Sequence, residues 1–210
     1  MAHLKTKYSS QESGSNSSNL VKTALDEAEA EAAVRTLIRW AGDNPDREGL
    51  LDTPSRVLKV YKELFVGYNE DPAEVLSRTF EESDEYNEVV LLKNIPVESH
   101  CEHHMVPIIG VAHVGYLPSS RVVGISKLAR VVNIFCRRLQ IQERLTSEIA
   151  RTIFEVLRPE GVGVRIESSH QCMTTRGVCM PGVSMVTTKF YGCYDENLQA
   201  KRDLVNMMES

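Results

Sequence analysis

The order of amphipathic segments constrains the fold of this chain more than any other sequence feature. Two segments with apolar residues at helical spacing, SKLARVVNIFCRRL and QERLTSEIARTIFEVL, follow each other in the middle of the chain. Two strand-like segments, VVLLKNIPV and PIIGVAHVGYLP, precede this helix pair, and two more, GVGVRIESSHQC and VSMVTTKFYGCY, come after it. Strand pairs on both sides of a helix pair predict an α+β fold, with an antiparallel sheet and helices packed on one face.

The segments outside this central pattern predict further helices and a polar tail. Residues 1–20 are rich in Ser, Asn, Gln and Gly, which is typical of a disordered tail. Residues 21–41 have helical periodicity, and a second helix is expected from an N-cap at Thr53 with Pro54 at its first position. Short helices are also expected over residues 71–80 and 195–208. We therefore expect a tail over 1–20, an N-terminal helical region over 21–80 and the α+β domain over 81–210.

Composition excludes several classes of protein. The chain has 210 residues, of which 42% are hydrophobic and 25% charged, as is usual for a globular protein. Its formal net charge of −5 argues against a general nucleic-acid binder, which normally has a basic surface. No apolar run suits a membrane helix, and the N-terminus lacks the apolar core of a signal peptide. We expect a cytoplasmic protein whose five cysteines are thiols or metal ligands.

A cluster of metal-ligating residue types lies in HCEHH, residues 100–104, which holds three of the six histidines. Cys101 and His104 are three positions apart, so a helical turn would place both side chains on one face. A second cluster, SSHQC, supplies His170 and Cys172 at the end of a predicted strand. Thiolate and imidazole ligands favour Zn²⁺ over Mg²⁺ or Ca²⁺. The preferred ligand set is Cys101, His104 and Cys172, with a fourth position left to water.

Two alternatives to this open zinc site remain. Ser99 and Glu102 fit the capping box of a short helix, in which case the histidines would be surface residues. A closed structural zinc site would instead use His103 or His170 as the fourth ligand. Two separated Cys/His clusters favour a metal, and an open site would leave both histidines beside it for proton transfer. The zinc deaminase motif is incomplete in this sequence, and the H-E-x-x-H protease motif is absent.

Basic residues near a predicted helix start indicate a possible anion site. The segment GISKLARVVNIFCRRL places Ser126 at an N-cap position, with Lys127 and Arg130 in the first turn. Cations there oppose the helix dipole, so they are either solvated or serve a bound anion, and both interpretations stay open. Arg176, in the loop after the second Cys/His cluster, would add another guanidinium. Glu143 begins the next helix, where a carboxylate is ordinarily an N-terminal helix charge.

Five stretches, covering residues from about 53 to 180, together resemble the GTP cyclohydrolase I family: TPSRV, VESHCEHHMVPIIGVAHVGYLP, VVGISKLARVV, RRLQIQERLT and HQCMTTRGV. The resemblance implies a zinc enzyme that opens the imidazole ring of GTP at C8, releases formate and recloses the product as 7,8-dihydroneopterin triphosphate. It also implies the tunnelling fold, in which antiparallel sheets join into the barrel of a homodecamer with sites at subunit interfaces. Joining the sheets in this way removes their open edges.

The resemblance further implies a role for each candidate residue. Zinc would lie on Cys101, His104 and Cys172, and a water activated by zinc would attack purine C8. His103 and His170 would transfer protons. The expected substrate contacts comprise an anchor for the guanine edge, its neighbour in sequence, four residues around ribose and triphosphate, and one residue from a neighbouring subunit: Glu143, Gln142, Ser126, Lys127, Arg130, Arg176 and Arg56.

Two other functions would also fit the resemblance. A related tunnelling-fold enzyme would act on another purine or pterin, which would require a changed base anchor, but Glu143 stands in an intact QERLT. A catalytically silent, zinc-stapled ring that binds ligands would be expected to lack His103, His170 or Glu143, and all three are present. Cys179 departs from the family pattern, which has a polar or basic residue at that position, and it places a thiol near the expected zinc.

Overall fold

The structure, a computed structural model, describes residues 26–77, 86, 88–119 and 122–210. The chain divides into two compact units, residues 1–58 and 59–210. In the first unit, helix α1 (Glu27–Trp40) is capped by Asp26, whose carboxylate accepts the Ala28 N–H at 3.0 Å. A 3₁₀ turn (Glu48–Leu50) follows, and α2 (Thr53–Leu64) crosses the division between the units. The predicted tail lies outside the described residues, and the predicted domain boundaries stay predictions.

The second unit contains a five-stranded sheet. The strand order is β3-β1-β2-β4-β5, and all neighbours are antiparallel except the short parallel contact of β3 with β1. The α+β class predicted from the sequence is therefore confirmed. The strands are β1 (Val90–Cys101), β2 (Pro107–Leu117), β3 (Leu139–Gln140), β4 (Gly161–His170) and β5 (Met185–Gly192).

Among the described residues that follow α2, six helices and one 3₁₀ turn accompany the sheet, and the predicted helix pair in the middle of the chain is confirmed. The second helix of this pair occupies the sixteen residues of QERLTSEIARTIFEVL. The elements are a 3₁₀ turn (Val66–Asn69), α3 (Pro72–Leu76), α4 (Ile125–Cys136), α5 (Gln142–Leu157), α6 (Gln171–Thr174), α7 (Cys193–Glu196) and α8 (Leu198–Glu209).

The main core lies between the sheet and helices α3, α4 and α5. Alternate residues of β2, among them Ala112, Val114 and Tyr116, are fully buried on this face. They meet the apolar stripes of α4 and α5, where residues such as Leu128 and Ile149 have no exposed surface. Each such side chain contributes roughly 1.5–3 kcal/mol by leaving water, so this face stabilises the platform on which the candidate site is built.

The opposite face of the sheet differs from the expectation that helices pack on one face only. Leu204 of α8 lies against Gly115 and Gly163, which face each other across β2 and β4. A side chain at either glycine would come within 2.8 Å or less of Leu204, so the two glycines make room for the helix. A smaller apolar cluster, with Phe190 and Tyr194, completes the contact.

Two local predictions were wrong, and the capping-box alternative at Ser99 does not fit the structure. The predicted helix over residues 195–208 is divided at Asn197, whose side chain accepts the N–H of Gln199 and caps α8 instead. Ser126 is not an N-cap, because α4 begins at Ile125 and Gly124 occupies the cap position. Ser99 starts no helix, since it lies within β1. Among the helices of the described residues, none is both long enough and apolar enough to cross a membrane.

Candidate active site

The first Cys/His cluster lies in a tight turn that directly follows β1. The N–H of His104 donates to the carbonyl of Cys101 at 3.3 Å, and the N–H of Met105 donates to the same carbonyl at 2.7 Å. The two donors lie three and four residues after Cys101, which is the hydrogen-bond pattern of a single helical turn. The spacing of Cys101 and His104 therefore has the predicted effect of bringing both side chains together, although no helix forms there.

This turn is tied to the first turn of α5 by an ion pair. Glu102 pairs with Arg144, whose Nε also donates to the side-chain oxygen of Gln140 at 3.2 Å. The backbone N–H of Glu102 donates to the carbonyl of Gln140 at 3.0 Å. The predicted strand–helix arrangement did not identify Glu102 and Arg144 as partners, because they are 42 residues apart in the sequence. Together these bonds hold the turn against β3 and the first turn of α5.

The second Cys/His cluster reaches the same place from β4. His170 ends this strand and pairs in register with Ile108 of β2, and Cys172 follows in the short helix α6. Ligand atoms of Cys101, His104 and Cys172 all lie within 4.8 Å of one another. Within the described part of the chain, this is the one group of three or more such residues that meets this distance. The group includes neither His103 nor His170.

The chemistry of this group suits a zinc ion. The Sγ of Cys101 lies 3.8 Å from the Nδ1 of His104, and all five cysteines are free of disulfides. Burial raises the pKa of the Cys172 thiol, the adjacent Cys101 raises it further, and the nearby Arg176 lowers it. The Cys172 thiol becomes a thiolate ligand when a divalent cation compensates its charge. Two sulfur donors and one imidazole nitrogen are a common ligand set for zinc.

The candidate metal-ligating group shares one cavity with four other predicted site residues. The cavity has a volume of about 270 Å³. It brings together residues from both Cys/His clusters and from the start of α5. The predicted site residues in its wall are Cys101, His103, His104, Gln142, Glu143, His170 and Cys172.

His103 and His170 occupy different environments in this cavity. His103 is exposed, and its Nδ1 lies 3.7 Å from the Sγ of Cys101. His170 is partly buried, and its Nε2 lies 2.9 Å from the side-chain oxygen of Gln142. Burial lowers the pKa of His170, whereas the carboxylate of Glu143 acts in the opposite direction. The neutral imidazole is therefore the favoured form of His170 near pH 7.

The expected triphosphate contacts lie at a different cavity of the same chain. This second cavity has a volume of about 630 Å³, and Ser126, Lys127 and Arg130 line one side of it. Its other side carries acidic residues, and Glu70 lies 3.3 Å from Arg130 in an ion pair. Sequence patterns gave no sign of this partner, since Glu70 belongs to the loop before α3.

The three remaining predicted substrate contacts are placed in three different ways. Arg176 is exposed and acts electrostatically on Cys172, so it lies near the metal-ligating group. Arg56 belongs to the first compact unit, where it pairs with Asp52 at 3.1 Å. Gln142 backs the smaller cavity without any exposed surface, which differs from the expectation of a direct substrate contact.

Two solved structures are similar to part of this chain. The archaeosine synthase QueF-Like in its apo form is 19% identical, with a TM-score of 0.40, and the match covers 50% of this chain and 93% of that one. The putative dihydroneopterin aldolase (FolB) from Vibrio cholerae is 11% identical, with a TM-score of 0.37, and the match covers 49% and 96%.

Two relatives found by sequence comparison are far more similar to this chain. The chain is 55% identical over 189 residues to GTP cyclohydrolase 1 of Maricaulis maris, which covers 90% of this chain and 92% of the relative. It is 61% identical over 166 residues to GTP cyclohydrolase 1 of Brucella anthropi, which covers 79% and 78%. The sequence profile of the family described as GTP cyclohydrolase I matches residues 30–209. This chain therefore belongs to the GTP cyclohydrolase I family.

Proposed function

We propose that this protein hydrolyses GTP at purine C8 with a zinc ion held by Cys101, His104 and Cys172. The product would be 7,8-dihydroneopterin triphosphate, formed with release of formate. Membership of the GTP cyclohydrolase I family supports the activity. The observation that carries the residue assignment is the shared cavity, which joins the three metal-ligating side chains, His103, His170 and Glu143.

The ligand group supports an open zinc site over a closed one. Three donor atoms lie within 4.8 Å of one another, and neither His103 nor His170 joins them as a fourth. Catalytic zinc sites characteristically use three protein ligands, whereas structural sites use four. Zinc, when bound, supplies a Lewis acid that makes water nucleophilic near neutral pH.

The two histidines are suited to different parts of the proton transfer. His170 is held by Gln142 and is neutral near pH 7, so it can accept a proton from a reacting group in the cavity. His103 is exposed at the cavity and follows the zinc-ligating cysteine by two residues, which suits exchange of protons with solvent. Ring opening and reclosure both require protons to move, and imidazole is the side chain best matched to that at neutral pH.

Glu143 would select guanine. Its carboxylate is exposed beside His170, at the second position of α5. A carboxylate accepts two N–H donors side by side, which guanine presents on its N1 and 2-amino groups and adenine does not. A substrate without these donors leaves the carboxylate unpaired, so the discrimination against adenine nucleotides should be large.

The triphosphate site would be completed by a second copy of the chain. Ser126, Lys127 and Arg130 line the 630 Å³ cavity, whereas the metal-ligating group lies in the 270 Å³ cavity. In the described residues, β5 is an edge strand of the sheet, and an edge strand can pair with another subunit. A homodecamer with sites at subunit interfaces, to which Arg56 of a neighbouring subunit would contribute, accounts for both features. A cytoplasmic location agrees with five free cysteines.

Incubation of the zinc-loaded protein with GTP tests this function. We expect formate and a pterin chromophore to appear in equal amounts, and no reaction with ATP. Native mass spectrometry should show a decamer with one zinc per chain. Zinc binding without formate would contradict the activity and favour the silent, ligand-binding alternative.

A further inference from the structure

The side chain of Gln142 is fully buried at the start of α5, where its amide group bridges two strands. The Nε2 donates to the carbonyl of Met185 at 2.9 Å and to the carbonyl of Ile166 at 3.1 Å. Backbone carbonyls only accept hydrogen bonds, so the NH₂ end of the amide must face them. The reversed orientation would place the amide oxygen against two carbonyl oxygens in a buried site.

A pair of threonine hydroxyls supports the same orientation. The Oγ1 of Thr146 donates its proton to the backbone carbonyl of Gln142 at 2.7 Å. It therefore accepts from the Oγ1 of Thr187, which lies 2.6 Å away. Thr187 is then left with a lone pair that can accept from the Nε2 of Gln142 at 3.1 Å. The Nε2 of Gln142 therefore faces three acceptors with two protons, so one proton is shared, and all three acceptors favour the NH₂ group on this side.

The other end of the amide faces His170. The Oε1 of Gln142 accepts from the hydroxyl of Ser168 at 2.7 Å and lies 2.9 Å from the Nε2 of His170. An amide oxygen carries no proton, so the Nε2 of His170 must be the nitrogen that donates. In the neutral imidazole, the Nδ1 then keeps the free lone pair.

We infer that Gln142 is a positioning residue that holds His170 in its Nε2–H tautomer and thereby makes Nδ1 the proton acceptor. The inference rests on the proposed function, in which His170 transfers protons. It differs from a direct substrate contact, because both ends of the Gln142 amide are occupied by protein groups and the side chain has no exposed surface. Its neighbour Glu143, by contrast, is exposed and able to meet the base.

The tautomer is tested directly by ¹⁵N NMR of the zinc-loaded protein with labelled histidines. The His170 signals are identified by their absence in His170→Ala. We expect a protonated Nε2 and an unprotonated Nδ1 in the wild-type protein. A protonated Nδ1 in neutral His170 would overturn the inference. This measurement needs no turnover, so it separates failure of the inference from failure of the proposed function, which the absence of formate would reveal.

Steady-state kinetics of the Gln142→Met variant tests whether this positioning of His170 contributes to turnover. Methionine keeps the length of the side chain but neither donates nor accepts a strong hydrogen bond. We expect kcat to fall by about 10- to 100-fold, as on loss of the partners that orient metal-ligating histidines. KM for GTP and zinc content should stay unchanged. A raised KM with unchanged kcat would instead show that Gln142 binds substrate, and a loss of thermal stability alone would show a purely structural role.

Two further variants make the kinetic test specific. Thr188→Val removes an exposed hydroxyl at the next position of β5, outside the network, so its kcat should stay within about twofold of wild type. In a His170→Ala background, Gln142→Met should have no further effect on kcat, because Gln142 acts through His170. An equal further fall in the double variant would overturn the inference. If Gln142→Met does not fold, the wild-type spectrum still decides the tautomer.

Discussion

The Nη2 of Arg130 lies 3.3 Å from the Oε2 of Glu70, so a predicted phosphate-binding guanidinium is paired with a carboxylate of its own chain. The segment that carries Glu70 is fixed by Arg138, whose Nε donates to the carbonyl of Gly67 at 2.9 Å. A second bond runs from Arg138 to the carbonyl of Glu70 at 3.2 Å. The carboxylate is therefore held beside the guanidinium, and a triphosphate that binds Arg130 meets its negative charge there.

Removing the charge of Glu70 should strengthen GTP binding. The pair is partly exposed, so its contribution is at most about 1 kcal/mol, and Glu70→Gln should lower the Kd for GTP by up to about fivefold. Titration with GTP in the absence of turnover measures this effect. Weaker binding would contradict it, because that result would mean that Glu70 orients Arg130 for the triphosphate.

Loss of Arg130 should weaken GTP binding much more than loss of Glu70 strengthens it. A charge-assisted contact contributes roughly 1.5–3 kcal/mol, so Arg130→Ala should raise the Kd by about 10- to 150-fold. The matched control is Arg151→Ala, which removes an exposed arginine from α5, outside both cavities. Equal affinities of the Arg130 variant and the wild-type protein would contradict the triphosphate assignment.

The ligand set predicts different outcomes for two neighbouring residues. Cys172→Ser should lower the zinc content well below one per chain, because serine is a poor zinc ligand. His170→Ala should keep the zinc and lower turnover by roughly two to four orders of magnitude, because it removes a proton-transfer group. Metal analysis by mass spectrometry, together with formate release, measures both. Loss of zinc from the His170 variant would show that His170 is a ligand and that the site is closed.

The elements of this fold with strong periodic patterns were predictable from the sequence. The bounds of α5 agree with the predicted segment, because apolar residues recur at helical spacing along its whole length. The strand pairs were predictable for the same reason. The start of α4 was misplaced by two residues, since Ser126 is a good N-cap type but Gly124 takes that position.

Contacts between distant segments were not predictable. Nothing local to Gln142 indicates that its amide meets two strands and His170, which lies 28 positions further along the chain. Glu70 and Arg130 are 60 positions apart, and their pairing depends on how the loop before α3 packs. The grouping of Cys101, His104 and Cys172 could be predicted because these residue types are rare and chemically specific. Polar residues such as Gln142 and Glu70 have common types, so only the fold shows which side chains they contact.

His113 should make the stability of the protein fall on acidification. Burial and the nearby Arg165 and Lys93 lower its pKa below the ordinary value of 6.5, while Glu167 acts in the opposite direction. Its Nδ1 has no hydrogen-bond partner among the described residues. Between pH 6.5 and the lower pKa of the folded state, the unfolded chain binds more protons, so the free energy of unfolding decreases as pH falls.

His113→Gln isolates this contribution. At pH 7.5 both side chains are neutral, so a difference there reports packing alone. Between pH 7.5 and 5.5, the variant should lose less free energy of unfolding than the wild-type protein, as measured by urea denaturation. His100 and His170 also have lowered pKa values, so the variant should keep part of the pH dependence. An unchanged loss would show that His113 does not contribute.

The packing of α8 against the sheet should depend on Leu204. This side chain is 2% exposed and fills the space above Gly115 and Gly163. Leu204→Ala should lower the free energy of unfolding by about 2–5 kcal/mol, because it removes apolar contacts and leaves a cavity between helix and sheet. The matched control is Leu198→Ala in the same helix, where the side chain is 62% exposed and the cost should stay within about 0.5 kcal/mol. Urea denaturation of both variants measures the difference. Similar costs for the two substitutions would show that α8 is not held to the sheet through Leu204.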